Sequence, residues 1–143
     1  MKKMNNKGFS LVELIVVVLI MAIIAVALAP QVMKWVENSR KSNDIENYNA
    51  LVEAANVAGT SETFLSALKT TTGRSCRITM NDNATTTTLS ALETQIVKTL
   101  PDWASTGIQG TWTSVSTPFT IDVVLTADGV NVIQQNKPVK DFE

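Results

Sequence analysis

Hydrophobic positions are distributed very unevenly along this chain. Residues 9–29 contain 19 apolar side chains out of 21, and only Ser10 and Glu13 interrupt the run. At about 1.5 Å per residue, a helix of this length spans roughly 31 Å, which is the thickness of one hydrocarbon core. The run therefore predicts a single membrane-spanning helix. Residues 31–143 hold 43 apolar side chains out of 113, which is typical of a soluble folded domain.

A helical pattern continues beyond the apolar run. Between residues 31 and 57, apolar side chains recur at steps of three or four and form one stripe: Ile45, Tyr48, Val52 and Ala55. The charged residues of this segment are expected on the other faces: Arg40, Lys41, Asp44, Glu46 and Glu53. Pro30 lacks a helical N–H and could end the membrane helix, but the resumed pattern favours a kink within one long helix.

Turn residues divide the C-terminal part into short elements. Gly59 is expected to end the long helix and Pro101 to end a later one. Helices are predicted over residues 62–69 and 91–100, and Ser90 and Glu93 have capping-box spacing for the second. Their core-facing residues are expected to be Phe64, Leu65 and Leu68, then Leu89, Leu92, Ile96, Val97 and Leu100. Strands are predicted over residues 74–80, 111–115, 119–126 and 130–134, with turns at 81–83 and at the Asp-Gly pair 128–129.

Together these elements predict an α+β protein. A small antiparallel β-sheet would pack on the apolar stripe of the long helix, whose first half spans the membrane. The expected organisation is a leader at 1–8, a hydrophobic helix at 9–30, an amphipathic continuation at 31–57 and a globular head at 58–143.

Composition excludes several kinds of chemistry. The chain has no histidine and a single cysteine, so His-based catalysis, Cys-rich zinc sites and an intramolecular disulfide are excluded. We predict no enzymatic activity, no cofactor and no metal. After residue 30, nine Lys and Arg oppose twelve Asp and Glu, and this acidic balance argues against direct nucleic-acid binding.

Other features of the head have competing interpretations. Cys76 lies between Arg74 and Arg77, which could activate its thiol, but its place in an alternating segment favours a buried core residue. All 18 threonines lie at or beyond residue 60, where they suit exposed strand faces or could carry O-linked sugars. The Asn-Ala-Thr tripeptide at 83–85 fits the N-glycosylation pattern, and Asp82 or Asp128 could contribute to a calcium site, although acidic residues there are sparse.

Charges beside the apolar run favour an N-terminus in the cytoplasm, because three lysines precede it and Lys34 is the first charge after it. The helix could be an uncleaved anchor, or a signal peptide cut among the small residues at 25–29. A third interpretation gives Glu13 a function, since a carboxylate in an apolar span is costly unless it is paired.

Residues 7–14, Lys-Gly-Phe-Ser-Leu-Val-Glu-Leu, resemble the cleavage and methylation motif of type IV pilins and type II secretion pseudopilins. A short basic leader ends in Gly8, and Phe9 follows directly. Glu13 and Pro30 stand at the fifth and twenty-second positions after this glycine. The resemblance covers roughly residues 1–57.

The resemblance implies a processing route. A prepilin peptidase would cut between Gly8 and Phe9, and the new Phe9 amine would be methylated. Glu13 would then pair with the Phe9 amine of a neighbouring subunit in the apolar interior of a filament. The resemblance also implies that the region around Pro30 can lose helicity as subunits pack. Removal of residues 1–8 changes the formal net charge from −1 to −4. Pilins often carry a C-terminal disulfide loop, which a single cysteine cannot form.

The function implied is that of a structural subunit of a type IV pilus-like filament, polymerised through its hydrophobic N-terminal helix. The alternatives are a pseudopilin of a type II secretion or DNA-uptake system and, from a different class, a membrane-anchored binding module. The expected partners are other pilin subunits, the prepilin peptidase, a pilus assembly platform, and membrane lipid before assembly. The precursor is expected in the cytoplasmic membrane and the assembled filament at the cell surface.

Overall fold

The computed structural model describes residues 8–113 and 115–139. In this part of the chain the helices are α1 (Leu11–Ala58), α2 (Glu62–Thr70) and α3 (Ser90–Thr99). The strands are β1 (Ser75–Met80), β2 (Thr85–Thr87), β3 (Phe119–Thr126) and β4 (Gly129–Gln135). The long helix packed on a small antiparallel sheet confirms the predicted α+β class.

The chain divides into two compact units, Met1–Val36 and Glu37–Glu143. In the first unit, α1 presents exposed apolar side chains along its length. The helix continues through Pro30, which confirms that this proline does not end it. By length and composition α1 can cross a membrane, and none of its most apolar window is buried in the structure.

The second unit contains a four-stranded sheet in the order β2-β1-β3-β4, with every neighbouring pair antiparallel. The predicted hairpin of β3 and β4 is confirmed, and Gly129 supplies the positive φ of 131° that its tight turn requires. The predicted turn at 81–83 closes a second hairpin, in which Thr85–Thr87 form a strand that the sequence pattern did not predict.

The core of the second unit lies between the sheet and the C-terminal half of α1. The Tyr48 ring meets the Phe119 ring edge-on, with centroids 6.1 Å apart, and its hydroxyl donates to the Thr120 carbonyl oxygen at 3.3 Å. The short helices contribute buried side chains to the same core: Phe64 and Leu68 from α2, Leu92 and Ile96 from α3. Alternate residues of β3 from Phe119 to Val123 are buried, as the period of two predicts.

Three local predictions were wrong. Residues 111–113 and 115 form no strand, because this segment bonds to side chains of α1 instead of to a neighbouring strand. The capping box of α3 is absent, because the helix begins at Ser90 and its N-cap is Leu89, which makes no side-chain cap hydrogen bond. The carbonyl oxygen of Leu89 accepts hydrogen bonds from the N–H groups of Leu92 and Glu93. Val97 is 45% exposed and faces away from the core.

Candidate functional site

The first turn of α1 carries Glu13, one of the two predicted assembly residues. The Ser10 N–H, immediately before the helix, donates to Glu13 Oε2 at 3.0 Å. This is the glutamate half of a capping box, in which a residue of the first turn satisfies an otherwise unpaired backbone donor. A carboxylate is also favourable there because the helix dipole is positive at its N-terminus. Glu13 therefore caps its own helix within a single chain.

The backbone before the helix is accessible. Gly8 is exposed, no atom lies within 4 Å of where a Cβ would stand, and the Phe9 side chain is 92% exposed. An open groove of about 490 Å³ lies beside Phe9, and its apolar lining contains one charged side chain, that of Glu13. This arrangement leaves the predicted Gly8–Phe9 bond open to an enzyme, and it places Glu13 beside apolar surface.

Pro30 is not brought close to these residues. It lies in the same helix 17 residues after Glu13, which corresponds to roughly 25 Å along the axis. The side chains between them are apolar and exposed, so this surface is suited to lipid or to other helices.

Sequence reasoning missed a buried carboxylate in the second unit. Asp44 was expected on an exposed face of α1, but it is fully buried. It accepts hydrogen bonds from the backbone N–H groups of Gln109 and Gly110, each at 2.8 Å, and from Trp112 Nε1 at 2.9 Å. We call these four residues the Asp44 clamp. The clamp attaches the loop before β3 to α1.

Two further α1 residues contact the same loop. Lys41, also expected to be exposed, is buried, and its Nζ lies 5.8 Å from the centroid of the Trp112 ring. Glu37 Oε1 accepts the Thr111 N–H, while its other oxygen lies 3.9 Å from Arg40 Nη1. No local sequence pattern links residues so far apart in the chain, and this is why helical periodicity alone misplaced Lys41 and Asp44.

Burial or pairing shifts the pKa of three titratable groups in the sheet and in the part of α1 that packs on it. Burial, and then the charge of Asp122, raises the pKa of the Cys76 thiol to about 11, and burial raises the pKa of Tyr48 to about 12. Arg77 donates to both oxygens of Asp122, at 2.5 and 2.9 Å, and these hydrogen bonds raise the pKa of Arg77. Cys76 is thus a buried thiol, as the alternating pattern predicted, and not an activated nucleophile.

Comparison with known protein families identifies the N-terminal segment. The chain matches the prokaryotic N-terminal methylation motif over residues 3–29. This motif is the hallmark of type IV pilin-like and pseudopilin prepilins, which form a class of structural proteins, and the match confirms the resemblance recognised from residues 7–14. No curated protein and no solved structure matches the chain.

Proposed function

We propose that this chain is a non-enzymatic structural subunit of a type IV pilus-like filament, assembled through residues 9–57. One observation carries the proposal: the methylation motif opens a helix whose apolar side chains are exposed from Leu11 to Val36. Such a surface requires a membrane before assembly and other apolar helices afterwards.

In the proposed route, residues 1–8 are removed as a leader, Phe9 becomes a methylated N-terminus, and residues 9–30 stay in the membrane until assembly. The precursor has its N-terminus in the cytoplasm, and the head leaves the membrane on the outer side. The prepilin peptidase, an assembly platform and further copies of the chain are the partners that this route requires.

Glu13 would direct assembly by gaining a second partner. In the single chain its carboxylate accepts the Ser10 N–H at 3.0 Å. A carboxylate can accept several hydrogen bonds at once. Glu13 can therefore also accept a hydrogen bond from the cationic Phe9 amine of a neighbouring subunit. In an apolar filament interior, each of these charges would be costly without the other.

The decisive experiment is mass spectrometry of sheared surface filaments, combined with electron microscopy. We expect filaments built from a chain that begins at methylated Phe9. An intact Met1 terminus on a monomer confined to the membrane would contradict the proposal. A pseudopilin shares the same motif, and it would be indicated by a processed Phe9 terminus without filaments on the cell surface.

Glu13→Val tests the proposed role of the carboxylate. We expect normal cleavage, because the Gly8–Phe9 bond stays accessible, but loss of filaments, because the Phe9 amine would enter the filament unpaired. The matched control is Glu93→Val, which removes an exposed carboxylate from α3, outside residues 9–57, and should leave assembly intact. Normal filaments from Glu13→Val would refute the role.

A further inference from the structure

An open cleft in the head brings two cations together with apolar surface. It has a volume of about 460 Å³ and lies beside the end of α2 and the turn between β3 and β4. Its lining consists of Leu65, Lys69, Arg74, Leu125, Thr126, Ala127 and Gly129, with no acidic residue among them. In the part of the chain that the structure describes, neither cation takes part in an ion pair.

The backbone at this cleft is unusual. Arg74 has a φ of 49°, in the left-handed region, and follows Gly73 with a φ of 76°. A β-carbon disfavours that region, and glycine or asparagine would adopt it more easily than arginine. Strained residues of this kind cluster at binding sites, where the side chain is needed in one place.

The charge of the subunit indicates what the cleft would bind. Without residues 1–8 the chain has a net charge of −4, so copies packed side by side repel one another unless cations meet carboxylates. The outer face of α1 carries the exposed Glu53 and, one turn later, Val57, which is 52% exposed. A carboxylate beside an apolar side chain is the complement of a cleft with two cations beside Leu65 and Leu125, both partly exposed.

We propose that this cleft binds a second copy of the chain, with the Glu53 carboxylate of the neighbour between Lys69 and Arg74. Val57 of that neighbour would pack against Leu65 and Leu125. The cleft and the Glu53 face share no residue, so one subunit can offer its cleft to one neighbour and its Glu53 face to another. We assign such a heterologous contact, which builds an open helical filament when its rotation does not close a ring. The inference rests on the proposed function and assigns a head contact to it.

Charge reversal tests the contact in cells that express the full chain. Lys69→Glu should lower the yield of sheared filaments about tenfold or more, because like charges would then meet at every contact. Arg74→Asn should also lower the yield, since asparagine tolerates the left-handed backbone but removes the charge. Lys98→Glu, which reverses an exposed charge outside the cleft, should leave the yield unchanged.

The reciprocal exchange makes the assignment specific. Lys69→Glu combined with Glu53→Lys restores one pair of opposite charges at each contact but leaves the new lysine beside Arg74, so it should recover the filament yield in part. Lys69→Glu combined with Glu46→Lys is the matched control, because Glu46 is exposed on the same helix two turns before Glu53. One turn beyond Glu46 lies the half-buried Ala50, so Glu46 lacks an exposed apolar neighbour equivalent to Val57. Equal recovery in both double variants, or recovery in neither, would overturn the assignment to Glu53.

Cross-linking gives a readout that does not depend on filament yield. A Lys69→Cys and Glu53→Cys double variant, treated in intact filaments with a flexible bismaleimide, should give a ladder of cross-linked oligomers that neither single variant gives. The linker is needed because the tips of two long side chains meet at a Lys–Glu contact, which holds the backbones too far apart for a direct disulfide. Filaments without the ladder would refute this contact and leave the proposed function standing. If the wild-type chain forms no filament beginning at Phe9, the proposed function fails first.

Discussion

Asp44 is the residue on which the loop before β3 depends most. One buried carboxylate satisfies three N–H donors that would otherwise be removed from water without a partner. Hydrogen bonds to a charged group contribute about 1.5–3 kcal/mol each, more than those between neutral groups. The clamp thus compensates for the lack of regular secondary structure in this loop.

Asp44→Asn should destabilise the second unit by about 2–4 kcal/mol. Asparagine keeps one acceptor oxygen but turns an NH₂ group toward backbone donors, so at least one donor loses its partner. Chemical unfolding of the detergent-solubilised chain, followed by tryptophan fluorescence, measures the loss. Glu46→Gln, at an exposed position of the same helix, should stay within about 0.5 kcal/mol of the wild type, and an equal loss there would argue against the clamp.

Gly107 is required by close packing of backbone on backbone. A Cβ at this position would stand 2.8 Å from both the Asp82 carbonyl oxygen and the Asn83 carbonyl carbon, neither of which can rotate away. Gly107→Ala should therefore cost about 1–3 kcal/mol in the same unfolding measurement. Gln109→Ala is the control, because its side chain is exposed and its N–H bond to Asp44 remains. Similar losses in both variants would contradict this explanation.

At the residue scale, local patterns could be predicted and distant partners could not. The spacing of Gly8, Phe9 and Glu13 lies within six residues, so the sequence contains the whole signal. The Asp44 clamp joins residues 65 to 68 positions apart, and its geometry exists only after the loop has folded onto the helix.

At the element scale, the same distinction separates the correct predictions from the wrong ones. The β3–β4 hairpin was predictable because its turn and its alternation are local features. The threonines of β2 were expected only as exposed surface, yet Thr85 is buried and its hydroxyl donates to the Thr106 carbonyl oxygen. Residues 111–115 have strand-like composition, but Thr111 and Trp112 bond to Glu37 and Asp44 of α1 instead of to a neighbouring strand.

Titration of Cys76 in β1 should make the second unit sensitive to alkali. Burial raises the thiol pKa from its ordinary 9.0 to about 11, so between these values the thiol ionises in the unfolded chain but not in the folded one. The contribution of the neutral Cys76 thiol to the free energy of unfolding is therefore fully present below pH 9. It should be lost as the pH rises to about 11, which lowers the free energy of unfolding by at most about 3 kcal/mol. Unfolding measured from pH 8 to 12 tests this.

The matched variant for this titration is Cys76→Ala. In this variant the free energy of unfolding should no longer show the fall between pH 9 and 11 that Cys76 causes. The fall between pH 10 and 12 should remain, because it comes from Tyr48, whose pKa is raised from 10.0 to about 12. A folded thiol that reacts rapidly with iodoacetamide at pH 8 would contradict the burial on which this prediction depends.

At the scale of the whole molecule, the two units differ in what they need from their surroundings. The second unit has its own core of buried apolar side chains. Among the described residues of the first unit, all are exposed. The sequence predicted this division from apolar content alone, because one segment is too hydrophobic to remain in water.

A chain beginning at Glu37 should therefore fold without a membrane. We expect a soluble monomer that unfolds cooperatively and forms no filaments, because it keeps the core and the Asp44 clamp but lacks the apolar helix surface. Size-exclusion chromatography and near-ultraviolet circular dichroism would measure this. An aggregated or unfolded product would show that the second unit depends on the apolar segment.

The exposed apolar surface of α1 also determines where a filament can exchange subunits. Between Leu11 and Val36, 18 large apolar side chains are exposed in the single chain. At about 1.5–3 kcal/mol for each buried side chain, release of one subunit into water would cost tens of kcal/mol. On the proposed function, growth and shortening therefore occur only at the end embedded in lipid. The distal tip would neither gain nor lose subunits, and a filament fragment broken from the cell would neither grow nor depolymerise.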